Sequence, residues 1–153
     1  MTALSPILPL RDTIRVLLRA DAGFKAIAEN RIYDDVPVAT SAGKPGAPTP
    51  YAYIGPMRRS RYDIGCGLAW TMQVRLFAVS TANGRTEAWS LVDAMTAALE
   101  GLEEFTPPLA APFVVQKPIE IVQAGDVIDP LQAKSVFLDL TTIIAGPGPG
   151  TED

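Results

Sequence analysis

From Leu68 to Val79 the chain alternates without a break. Trp70, Met72, Val74, Leu76 and Ala78 form one set; Thr71, Gln73, Arg75, Phe77 and Val79 form the other. A period of two is the mark of a strand with two distinct faces. The first set is apolar throughout. The second starts polar and ends apolar, so its face is expected to be covered only towards the strand's end. Ser80 to Gly84 then reads as a turn, and the period changes. Ala88, Leu91, Val92, Met95, Leu99 and Leu102 make a stripe at helical spacing, with Thr86, Ser90, Asp93, Ala97 and Glu100 opposite. Asn83 or Gly84 can cap this helix, Glu87 suits its first turn, and it is expected to run to about Leu102. A two-faced strand followed closely by a one-striped helix has one economical solution: the helix lies across the sheet and each buries the other.

The remaining segments are read around that unit. Ser5 can serve as an N-cap and Pro6 suits the first helical position. Pro9 is near enough to the start to be tolerated. Ile7, Leu10, Ile14, Leu17 and Leu18 then fall on one stripe. Asp21 looks like a second N-cap, Phe24, Ile27 and Ala28 give a short apolar face, and Asn30 is a stop. Ile32 and Tyr33 lead out of this helical pair into a long irregular stretch, Asp34 to Pro50, rich in Pro and Gly. Tyr51 to Met57 reads as a strand. A basic turn region follows, Arg58 to Asp63, and Gly65 and Gly67 flank Cys66 at a loose hairpin end. Pro107, Pro108 and Pro112 break the chain after the central helix. Phe113 to Gln123 reads as a strand in which Pro118 signals an edge or a bulge. Ala124 to Pro130 reads as a turn. In the last strand, Ser135 to Ile144, Val136, Leu138, Leu140 and Thr142 alternate against Phe137, Asp139, Thr141 and Ile143.

The order ααββαββ predicts an α+β fold: a largely antiparallel four-stranded sheet, one long packing helix and an N-terminal helical pair. Residues 1–144 are expected to form a single domain. Residues 145–153, AGPGPGTED, are expected to be a flexible Gly/Pro-rich tail.

Composition narrows the chemistry. Of 153 residues, 48% are hydrophobic and 20% charged, enough for one core. The formal net charge of −4 argues against a free-standing nucleic-acid-binding domain. No apolar run approaches a membrane span and Met1 to Leu10 lacks the basic start of a secretion signal, so a soluble chain made and kept in the cytoplasm is expected. Histidine is absent, which removes the commonest general base and transition-metal ligand. The single cysteine, Cys66, cannot form an intrachain disulfide, and between glycines in a loop it reads as an incidental thiol. Lys134 beside Ser135 falls at a strand start, where adjacent side chains point to opposite faces. Asp34 with Asp35, and Asp126 with Asp129, lack the alternation of a calcium loop; Glu103 and Glu104 read as a solvated helix end. GPGPG is followed by no helix and is no phosphate cradle. No catalytic, cofactor or metal site is therefore expected.

Two features are candidates for contact rather than chemistry. Arg58, Arg59 and Arg61 read as a solvated hairpin tip, as salt-bridge partners for a neighbouring subunit's acids, or as a basic rim facing DNA phosphates without sequence preference. Trp89 lies on the flank of its helix's apolar stripe. It reads either as cover for the sheet edge or as a subunit contact.

Several segments together resemble the tail-completion, or tail terminator, family of long-tailed phages and gene transfer agents. They are Ala20 to Pro37 with its Arg-Ile-Tyr exit, Pro50 to Pro56, Thr71 to Leu99 with Gly84 to Ala88 at its centre, and Val136 to Ile143. The proline-rich insert from Val38 to Pro50 and the GPGPG tail depart from the family pattern. The resemblance implies a structural virion protein, assembled in the host cytoplasm: a homohexameric ring at the head-proximal end of the tail. Such a ring stops tube polymerisation, contacts the tail tube protein and a head–tail connector, and lets DNA pass through its lumen. A head-completion protein at the portal side, or a host α+β ligand-binding module, are the alternatives.

Overall fold

The computed structural model describes residues 6–38, 46–63, 68–105, 108–109, 112–128 and 134–146. In chain order it contains α1 (Ile7–Ala20), α2 (Ala22–Ala28), β1 (Ile32–Tyr33), β2 (Tyr51–Asp63), β3 (Leu68–Ser80), α3 (Thr86–Leu99), β4 (Val114–Val127) and β5 (Lys134–Ala145). The expectations for Ser5, for Cys66 and its flanking glycines, for Pro107, for Asp129 and Pro130, for 39–45 and for 147–153 lie outside the described residues.

The α+β class is as expected, but the sheet has five strands and is mixed. Its order is β1-β2-β3-β5-β4. The short β1 runs parallel to β2 through Ile32↔Ala52 and Tyr33↔Tyr53; all other pairings are antiparallel. Two residues cannot display an alternation, so β1 is invisible to periodicity. It is fixed from outside: Ala52 N–H donates to the Arg31 carbonyl at 2.9 Å, and Arg31 Nε donates to the Pro50 carbonyl at 2.8 Å.

Two segments read as turns are strand. Arg58 to Asp63 pairs with Leu68 to Gln73, and Ala124 to Val127 pairs with Ser135 to Leu138. Polar and small residues on an outer strand mimic turn composition, while the partner strand supplies the backbone hydrogen bonds that hold them extended. Pro118 does sit on an edge strand with register shifts on both sides of it. The bulged Lys117 carbonyl accepts from the Thr142 hydroxyl at 2.6 Å, which explains a fully buried threonine in an apolar row.

All three helices pack on one face. Leu10, Ile14 and Leu18 of α1, Phe24 and Ala28 of α2, and Ala88, Leu91, Val92, Met95 and Leu99 of α3 are buried. They meet Ala52, Ile54, Met72, Val74, Leu76, Ala78, Val136, Leu138, Leu140 and Ile144 in one core. Pro9 stands third in α1, where an amide has no intrahelical acceptor to lose. Asp21 caps α2 as expected, its carboxylate accepting from Phe24 N–H at 2.9 Å. The stop after α2 comes one residue before Asn30: Glu29 is the C-cap and takes φ 56°. Helix α3 is shorter at its end than expected, with Glu100 as C-cap and Gly101 at φ 79°. Arg85, not Asn83 or Gly84, holds its N-cap position and gives no side-chain cap. The turn is tied instead by buried Ser80, whose hydroxyl donates to Glu87 at 2.7 Å and accepts from Ala82 N–H at 3.1 Å.

Truncating Leu91 to Ala removes a fully buried side chain from the centre of this core. Urea unfolding is expected to show a loss of about 2–5 kcal/mol, against less than about 0.5 kcal/mol for Ser90→Ala on the exposed side of the same helix.

Candidate functional site

Helices cover one face of the sheet; among the described residues none lies on the other. That open face is built by the second member of each alternating pair. A row of rings crosses it. Tyr33 meets Tyr51 edge-on at 5.6 Å, Tyr51 lies 6.3 Å from Tyr53, and Tyr53 stacks on Phe77 at 4.9 Å. Phe137 is the cross-strand partner of Phe77. Both phenylalanines lie over glycines. A Cβ on Gly55 would come within 2.5 Å of the Phe77 ring, and one on Gly125 within 3.0 Å of the Phe137 ring. Burial raises the Tyr51 and Tyr53 phenols above their ordinary pKa, so both are neutral at physiological pH.

Beside this row sits a polar network spanning three strands. The Arg75 guanidinium lies 4.2 Å over the Phe137 ring and grips Asp139 with two hydrogen bonds, Nε to Oδ1 at 2.7 Å and Nη2 to Oδ2 at 2.9 Å. Gln123 donates to Asp139 Oδ2 at 2.7 Å. These donors hold the Asp139 carboxyl below its ordinary pKa, the Arg75 hydrogen bond foremost, against the opposing effect of burial. A shallow hollow of ≈ 330 Å³ opens here between Pro56, Arg58, Gln73, Val122 and Thr141. The network escaped the sequence reading because Arg75 and Asp139 are 64 residues apart and meet only through the β3–β5 register. Their places in the partly polar sets of two alternating strands were the available signal.

The three arginines do not form one cluster. They lie on β2, where successive side chains take opposite faces. Arg58 pairs with Gln73 on the open face, whereas Arg59 and Arg61 are opposite Met72 and Trp70 on the helix side. The Arg59 guanidinium stacks 4.6 Å over the Trp70 ring. Trp89 is half-buried against the core and its Nε1 donates to Asp126 at 2.7 Å. Arg85 reaches the other oxygen of Asp126 at 3.1 Å. In this structure Trp89 therefore closes the gap between α3 and the end of β4.

The other charged pairs serve local structure. Asp34 faces Arg11 at 3.3 Å and Asp35 accepts from Val36 N–H at 2.7 Å. Lys134 donates to the Ala82 carbonyl at 2.9 Å. Glu103 and Glu104 are exposed. Among the described residues no three His, Cys, Asp or Glu side chains converge as a metal site would require, and no helix is long and apolar enough to cross a membrane.

Because the folded-state pKa of Asp139 is depressed, its pair with Arg75 stabilises the fold fully above the unfolded value of about 4 and loses that contribution as pH falls through the lower folded value. Denaturation series between roughly pH 5 and pH 2 should therefore show a shallower acid loss for Asp139→Asn than for the native chain, from a lower starting stability at neutral pH.

The fold matches a chain of a native gene transfer agent virion at a TM-score of 0.76 and 19% identity, covering 94% of this chain and 100% of that one. A search of curated protein sequences returns no match. The family model described as tail completion protein gp17 matches residues 12–145, which takes in every strand and helix from the body of α1 to the end of β5. The chain belongs to the tail completion protein gp17 family.

Proposed function

We propose that this protein is a structural, non-enzymatic virion component, a tail terminator. Copies of it form a hexameric ring that caps the tail tube at its head-proximal end, stops polymerisation and offers the seat for the head–tail connector. The family match over residues 12–145 carries this reading. The likeness in fold to a virion chain of a gene transfer agent supports it. So does the character of the site. A ring of identical copies needs two different surfaces on each copy, meeting head to tail and closing by rotation. This chain offers an open, ring-lined sheet face with a polar network on one side and a helical layer on the other.

Within such a ring, Arg58, Arg59 and Arg61 face either a neighbouring copy or the lumen through which DNA passes. Their division between two faces of β2 favours contact over a continuous basic rim. Trp89 acts first within its own chain, through Asp126.

Electron microscopy of particles assembled without this protein tests the role. Overlong or irregular tubes, separate from filled heads, are the expected result. Tails of normal length beside leaky or empty heads would move the protein to the portal side as a head-completion part.

A further inference from the structure

The free half of β2 and the turn after α3 carry opposite charge. From Thr49 to Arg75 the only acid is Asp63, against Arg58, Arg59, Arg61 and Arg75. Between Arg85 and Lys117 there is no Lys or Arg, against Glu87, Asp93, Glu100, Glu103 and Glu104. The fold turns this sequence polarity into a spatial one. Strand β1 pairs with β2 only at Ala52 and Tyr53, so the half of β2 that holds the arginines is a free sheet edge among the described residues. The acidic turn after α3 lies at the opposite edge. Gly101 N–H donates to the Ile119 carbonyl, Leu102 accepts from Ile119 N–H, and Glu100 accepts from Ile121 N–H, all on β4. The two groups stand at the same height on the sheet. Arg59 is level with Met72 and Thr142, and Thr142 bonds the Lys117 carbonyl just beside Ile119. From β2 to β4 is three strand spacings, roughly 14 Å.

Some of the charges at these two places are uncommitted, while Glu100 accepts from Ile121 N–H and Arg61 has a partner. Among the described residues Arg58, Glu103 and Glu104 make no ion pair, and Arg59 is held only by the Trp70 ring. By contrast, the charges of β4 itself are matched internally, Lys117 with Glu120 at 3.1 Å and Asp126 with Arg85.

We infer that the basic edge of β2 and the acidic turn after α3 are the two halves of one contact between successive copies of this chain, Arg58 and Arg59 of one meeting Glu103 and Glu104 of the next. The inference rests on the ring reading and specifies its interface. Opposite charges on well-separated parts of one chain suit a head-to-tail contact; self-complementary two-fold pairing would set like against like. Charged side chains on the free β2 edge also discourage unguided strand pairing, leaving the matched partner as the favoured neighbour.

The test uses the full chain and two double variants, Arg58→Glu with Arg59→Glu, and Glu103→Arg with Glu104→Arg. All four positions are exposed, so each variant is expected to stay folded, the arginine pair with a slightly lowered midpoint through loss of the Arg59–Trp70 stack, and thermal unfolding is checked first. Sedimentation velocity, alone and on purified tail tubes, then reads assembly. The native chain should form rings that weaken with added salt. Each double variant alone should need a concentration on the order of 100-fold higher, since it sets like charges together. An equimolar mixture of the two should restore rings of alternating composition. Rings indifferent to both reversals, or a mixture that fails to assemble, would overturn this interface and leave the ring role standing. Variants that still form rings but no longer bind tubes would overturn it in favour of the tube protein as the occupant of these edges. A native chain that forms no ring even on tubes would remove the ring reading and the interface together.

Discussion

Helix α3 lies against β3 and β5 with Leu91, Met95 and Leu99 set on Met72, Val74, Leu76, Leu138 and Leu140. The burial of that stripe on those strands is the constraint from which the rest of the structure follows. Each of these side chains is almost wholly removed from water. Apolar burial of this extent is the main term opposing the conformational entropy of a chain this size. Helix α1 extends the same layer over β1 and β2, α2 packs beside α3, and the Ser80–Glu87 and Glu100–Ile121 hydrogen bonds fix the two ends of α3 to β3 and β4.

Packing every helix on one side leaves the molecule asymmetric. The covered face is a conventional core. On the open face, in place of a helical layer among the described residues, Phe77 and Phe137 lie over glycines beside one bidentate ion pair. Gly55 and Gly125 make that approach attainable, because a side chain at either position would lift Phe77 or Phe137 off the strands. A sheet face that no described helix covers, with rings at the end where Tyr51 and Val79 are buried and a polar network beside them, is ordinary for a chain that works among copies or partners. The same asymmetry separates the free half of β2 from the turn after α3, which are of unlike charge, so shape and electrostatics both favour a directional mode of association.

The elements that could be read from the sequence share a property: each announces itself within its own length. The alternation of Leu68–Val79, the stripe of α3, the Asp21 cap and the bulge-or-edge meaning of Pro118 are local signals, and the structure has all of them. The features that were misread or missed depend on a partner. Strand β1 exists because β2 lies beside it, Arg58 to Asp63 is extended because β3 pairs with it, and Arg75 finds Asp139 only in register. The three arginines illustrate the difference at the candidate site. Their presence and charge were plain, but their division between the two faces of one strand edge depended on strand against turn.

The sequence by itself determined the class of fold, the faces of the principal elements and the resemblance that led to the tail completion family, because periodicity and caps are encoded within a few turns of chain. Only the tertiary structure decided the strand order, the fifth strand, the polar network of the open face and the placement of basic and acidic segments on opposite edges. Those depend on which strands become neighbours, and neighbourhood is settled by the joint burial of one sheet face beneath three helices rather than by any segment alone.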